Sequence, residues 1–173
     1  MKLNLTQFVI INILILILGM IFAFSIINPK PQIEPSTITG TVNLNKIIIQ
    51  NILFAIAIIL GAFTFNILTA CLCLYNGLIF GMYLKSTILN LGYGKAALIF
   101  LPHLVFEFFW LILCLKVSHL IFFNFKKYVY DSNRLSRFGI FLLTLKNKLI
   151  LIITVVLIGC FVEYFITFKL LAK

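Results

Sequence analysis

The sequence predicts an all-α polytopic membrane protein: a bundle of about five transmembrane helices, with a kinked fourth helix and an interfacial basic helix. Three observations carry that prediction. Of 173 residues, 63% are hydrophobic and only 10% are charged, where a soluble domain carries roughly 25% charged residues. The mean hydropathy is +1.19. The apolar residues also come in long uncharged runs instead of an amphipathic surface-helix period, so they must face lipid or one another.

The first run is Phe8 to Ile27, about enough to cross a ~30 Å hydrocarbon core at 1.5 Å per helical residue. Lys2 ahead of it gives a superficial likeness to a signal peptide. The run is too long for that, and no A-x-A site follows, so it is expected to stay as an anchor. Asn28-Pro29-Lys30-Pro31 stops the helix, and a Ser-, Thr- and Pro-containing segment to Lys46 reads as a short exposed loop. From Ile47 to Leu84 no residue is charged, a length of about 57 Å if helical, roughly twice one bilayer. Two spans are therefore expected, 47–63 and 66–84, with Gly61 and Asn66 bracketing the turn. The Lys85 to Lys95 connection contains Gly92-Tyr93-Gly94 and reads as a loop.

A fourth span is expected over 96–115 and a fifth over 149–168. Between them, from Lys116 to Lys148, stand Lys126, Lys127, Arg134, Arg137 and Lys146 against Asp131, the composition of a cytoplasmic segment. Within it Leu135, Phe138, Phe141, Leu142 and Leu145 recur at helical spacing among basic residues, which predicts an interfacial helix anchored in the headgroups. The whole chain, 1–173, then forms one membrane domain in the cell membrane, with its N-terminus cytoplasmic.

The net charge of +10 would suggest nucleic acid in a soluble domain. Here the basic residues sit between apolar runs and are not interleaved with exposed aromatics, so lipid headgroups are the expected partner and nucleic acid is not. Cys71, Cys73, Cys114 and Cys160 lie inside apolar stretches without C-x-x-C spacing, and neither a disulfide nor a zinc site is expected. There is no Gly-rich phosphate loop and no G-x-S-x-G. No cofactor is expected, and ATP-driven chemistry would need a partner subunit.

The informative residues are the polar ones at depth. A charged side chain at the bilayer centre costs about 2.5 to 3.5 kcal/mol on insertion scales, so such groups face the bundle interior or a wet cavity. His103 and Glu107 are four apart in the fourth span and share a helical face. Glu163 is the acidic residue of the last span. Pro102 removes a backbone N–H beside them and is expected to kink the helix. His103, Glu107 and Glu163 read either as a functional polar site or as a hydrogen-bond network that docks helices. A metal set built on them has little support, with one His and no H-E-x-x-H. Gly77 and Gly81 allow close helix approach, and Asn76, Asn51 and Gly61 read as further helix-packing positions.

These residues resemble the stage II sporulation protein M family: Gln50-Asn51, Gly61, Asn76-Gly77-x-x-x-Gly81, Pro102-His103 with Glu107, and Val162-Glu163-Tyr164-Phe165, in that order over about 47–168. The Pro-His-x-x-x-Glu element is the most specific part. Leu104 stands where family members usually have Gly, and the external segment is short where the sporulation protein proper has a long one for its wall-hydrolase partners.

Short members of the family are similar to membrane proteins encoded with circular bacteriocins. The resemblance implies a scaffold or transport accessory in bacteriocin maturation, export or immunity. Its partners would be other membrane proteins, an ATPase subunit among them, and a hydrophobic peptide. Two other roles follow from the same resemblance: an intramembrane leader peptidase or ligase using Glu107, His103 and Glu163, or an engulfment scaffold.

The charge distribution makes a topological prediction. In a cysteine-free background, Ser132→Cys should label only in permeabilised cells, and Ser36→Cys should label in intact ones. Ready external labelling at position 132 would reverse the orientation.

Overall fold

The computed structural model describes residues 4–26, 44–64, 66–130 and 134–171. Most of the Asn28–Lys46 loop, Asp131, Ser36 and Ser132 therefore lie outside the described residues, as do the side chains of 125–144 and 166–171. Four α-helices make up the described chain: α1 (Leu5–Ile26), α2 (Leu44–Leu60), α3 (Ile67–Tyr130) and α4 (Arg134–Leu171), with a short 3-10 turn, Gly61–Thr64, after α2. Each contains a stretch long and apolar enough to cross a membrane.

The turn between α2 and α3 is closed by its own polar groups, as an apolar surrounding requires. Asn66 takes φ 63°, its N–H donates to the Gly61 carbonyl at 3.0 Å, and Thr64 Oγ1 donates to the same carbonyl at 2.9 Å. Thr69 Oγ1 then donates back to Ile58 O at 3.1 Å, tying the start of α3 to the end of α2. A Cβ on Gly61 would strike the Thr69 side chain, so glycine is what lets the two helices meet this closely.

Helix α3 has 64 residues, about 96 Å if straight. It is not straight. Asn76 and Glu107, 31 residues apart, are hydrogen-bonded at 2.9 Å, although a straight helix would hold them about 46 Å apart. Asn66 and Ser118 are likewise joined at 3.1 Å. The helix doubles back at Gly92, whose φ of 77° and ψ of 167° are its one non-helical pair, a conformation open to glycine and strained for L side chains. The two antiparallel arms run 67–91 and 93–130. Where the sequence suggests a loop over Lys85 to Lys95, helix continues on both sides and the reversal occupies one residue, because a single positive φ redirects the chain. Helical torsions also persist through Pro102, so the sharp break is at Gly92.

The basic segment is helical too, but not as a separate element. Its residues 116–130 continue α3 and its residues 134–148 form the first turns of α4, which runs 38 residues without interruption; no proline or glycine separates Leu145 from the apolar stretch that follows. Along the second arm of α3, Lys95 and Lys116 are 21 helical steps apart, about 31 Å, which matches a ~30 Å hydrocarbon core.

Helix α1 lies against the first arm of α3 and runs parallel to it. Its buried residues, Phe8, Asn12, Leu16, Gly19 and Ala23, form one face, while Ile10, Leu14, Leu18 and Ile21 point outward. The contact is backbone to backbone: a Cβ on Gly77 would meet the Leu16 carbonyl, one on Gly81 the Met20 carbonyl, and one on Gly19 would lie 2.7 Å from the Leu74 carbonyl. Behind this seam Leu16, Ile58, Leu111, Leu115 and Val156 form a fully buried core shared by all four helices.

Overpacking a tight core typically costs about 1 to 3 kcal/mol, and here the obstacle is main chain that cannot rotate away. Gly81→Ile should therefore lower the thermal transition and the yield of folded protein in detergent. An unchanged transition would mean that α1 is not seated on this face.

Candidate functional site: an intramembrane polar cluster

The hairpin and α4 bring three ionisable side chains together. His103 Nε2 lies 2.8 Å from Glu107 Oε2, one helical turn on, and His103 Nδ1 lies 3.2 Å from Glu163 Oε2 on α4. The other Glu107 oxygen accepts from Asn76 Nδ2 of the first arm at 2.9 Å. The Phe80 ring meets the imidazole edge-on at 5.4 Å. Glu107 is buried, whereas the side chains of His103 and Glu163 keep 24% and 27% of their surface exposed. Counted from Lys95, His103 is about 12 Å and Glu107 about 18 Å along the helix axis, which sets the carboxylate about midway between Lys95 and Lys116.

Helix α4 reaches this position because it is thin where it crosses the hairpin. A Cβ on Gly159 would sit 3.2 Å from Phe106 Cβ, and Glu163 follows one turn later. Cys160, beside it, accepts a hydrogen bond from Asn51 Nδ2 of α2 at 3.3 Å. Asn51, His103, Glu107, Trp110, Cys160 and Glu163 border a cavity of about 10 Å³, room for about one water.

Sequence reasoning treats Asn76 and Asn51 as packing positions. The structure gives both a polar partner, and so links α2 and the first arm to the cluster. Gly159 and Cys160 are additions from the structure; their signal in the sequence is a small residue one turn before an intramembrane carboxylate. Gly77 and Gly81 face the α1 seam and Gly61 the interhelical turn.

Two hydrogen bonds between an imidazole and two carboxyl groups need at least two protons; with two, imidazolium with two carboxylates and neutral imidazole with one carboxylic acid and one carboxylate both carry −1. The ring can pass a proton between Glu163 and Glu107. Among the described residues no group of three or more His, Cys, Asp or Glu is arranged to hold a metal ion. The four cysteines are free, Cys71 exposed and the other three buried.

A helical bundle with several membrane-length apolar helices and a buried, internally paired polar cluster defines a multi-pass membrane protein. The chain matches the profile of the stage II sporulation protein M family over residues 9–168. It belongs to that family. No match is found among curated proteins or among solved structures.

Asn76→Ala would leave Glu107 Oε1 without its donor, and an unsatisfied buried acceptor typically costs about 1 to 3 kcal/mol. The thermal transition should fall accordingly. It should fall further in Asn76→Asp, which sets a second carboxylate against the first. Equal stability of Asn76→Ala and wild type would remove the amide from the cluster.

Proposed function

We propose that this protein is a non-catalytic component of a membrane assembly, and that the polar cluster locks its helices into the shape the assembly recognises. The carrying observation is that the cluster is satisfied from within: both Glu107 oxygens and both His103 nitrogens have partners inside the bundle. The adjoining cavity, at about 10 Å³, is far below the roughly 300 Å³ at which ligand sites begin. A buried network with every member paired rigidifies and specifies a packing arrangement.

Within its family, the short segment between the first two spans and the Ile-, Asn- and Lys-rich composition support a place beside circular bacteriocin production. The chain would then serve maturation, export or producer immunity with other membrane proteins, an ATPase subunit among them supplying the energy.

The competing reading, an intramembrane peptidase or ligase, draws on the exposed quarter of His103 and Glu163. Glu107→Gln separates the two. A glutamine can accept from Asn76 and donate to His103 Nε2, leaving Nδ1–H for Glu163, so every bond of the network survives with one proton fewer in the cluster. As a scaffold, the variant should fold like wild type and sustain most of the secreted mature peptide. A folded variant with no product at all would make Glu107 a general acid or base, since an amide does not exchange a proton at neutral pH.

A further inference from the structure

The cavity of about 10 Å³ beside the polar cluster is bordered by three side chains with a polar group to spare: Asn51 of α2, Trp110 of the second arm and Glu163 of α4. Asn51 uses its Nδ2 on Cys160 Sγ, and Glu163 meets His103 through Oε2. Their other oxygens, Asn51 Oδ1 and Glu163 Oε1, have no partner among the described residues, and neither has the indole N–H of Trp110.

Trp110 is 3% exposed, yet its N–H is not sealed in. Among the described residues Asn12 Oδ1 is the one fully enclosed side-chain polar atom without a partner. The indole N–H therefore opens onto free space, and the cavity is the space that Trp110 borders. Phe54 of α2 meets the ring edge-on with centroids 6.0 Å apart, which holds the indole in place.

The chemistry of the lining says what fits. A space of this size holds about one water, so the three groups share a single occupant. One of them donates and two accept. A metal cation would face the indole hydrogen, an anion would face the Glu163 carboxyl, and an apolar group would leave all three unsatisfied at depth. A water suits every one: its oxygen accepts from Trp110 while its hydrogens go to Asn51 Oδ1 and Glu163 Oε1, about three hydrogen bonds, the usual number for a buried water.

We propose that this cavity is a binding site for a single ordered water that joins α2, the second arm and α4, and extends the polar network to Trp110. This rests on the reading of the cluster as a lock between helices and adds α2 to that lock. The direct polar link from α2 to α4 among the described residues is Asn51 to Cys160 Sγ, and sulfur is a weak acceptor. The water supplies the stronger part of the connection, because in an apolar surrounding each of its bonds replaces an unsatisfied group.

The test uses the full-length protein in lipid nanodiscs, with the indole nitrogen isotopically labelled for magnetic resonance. Trp110 is the only tryptophan of the chain, so the spectrum holds one indole resonance. In wild type its N–H should give a rotating-frame cross-peak to water of sign opposite to the diagonal, which separates contact with a bound water from proton exchange. Val156→Ile adds one methyl group at a residue bordering the cavity; it should abolish the cross-peak and move the N–H resonance upfield, as for loss of a hydrogen bond. A wild-type spectrum without the water cross-peak would overturn the proposal, as would a cross-peak that survives in folded Val156→Ile. Where Val156→Ile does not fold, the wild-type spectrum decides by itself. The readout is independent of peptide secretion, so its failure is distinct from failure of the lock reading, which Glu107→Gln tests.

Discussion

Glu107 joins three parts of the chain through two oxygens. One accepts from Asn76 on the opposite arm of the hairpin, and the other meets His103, which in turn holds Glu163 of α4. In water these bonds would compete with solvent and contribute little. In a hydrocarbon core the alternative to each is an unsatisfied polar group, so the partners must be found within the bundle. That constraint fixes the register of both arms and of α4, because slipping any of them by one residue rotates a partner away.

Such a network can stay together only if the helices carrying it come close, and small residues supply that closeness. Gly159 lets α4 rest on Phe106 one turn before Glu163. Gly19, Gly77 and Gly81 let α1 lie main chain to main chain on the first arm. In a soluble bundle the large apolar residues would mark the packing face. Here they mark both the core and the lipid surface, and the small and polar residues distinguish the two. Helix α1 shows this plainly: its buried face carries Asn12, Gly19 and Ala23, while Leu14, Leu18 and Ile21 lie outside.

The two ends of the bundle are turned by different chemistry. Near Asn66 several residues cooperate, with backbone and hydroxyl groups closing onto Gly61 O and Ser118 donating to the Asn66 side chain. At the other end the single positive φ of Gly92 reverses the chain, and nothing lies within 4 Å of where its Cβ would be. The first turn is fixed by packing and hydrogen bonds, the second by backbone freedom alone. A side chain at Gly92 would meet torsional strain and no clash.

Composition and uncharged run lengths were enough to establish a multi-pass helical membrane protein, because the bilayer imposes a length on every span and a cost on every charge. Four-residue spacing placed His103 and Glu107 on one face for the same kind of reason: it is a property of a single helix. Of what joins different helices, the sequence showed the grouping of Glu163 with His103 and Glu107, because ionisable groups at depth need polar company, and little else. The Gly92-Tyr93-Gly94 string suggests a loop, yet only one of its residues leaves the helix, and the basic segment is divided between the end of α3 and the start of α4. The partnership of Asn76 with Glu107 and of Asn51 with Cys160, and which imidazole nitrogen Glu163 meets, depend on how the hairpin closes and how far each helix is rotated about its axis. Rotation is set by packing against neighbours, and in helices apolar on every side the sequence carries almost no periodic signal of it. Only the tertiary structure could decide it.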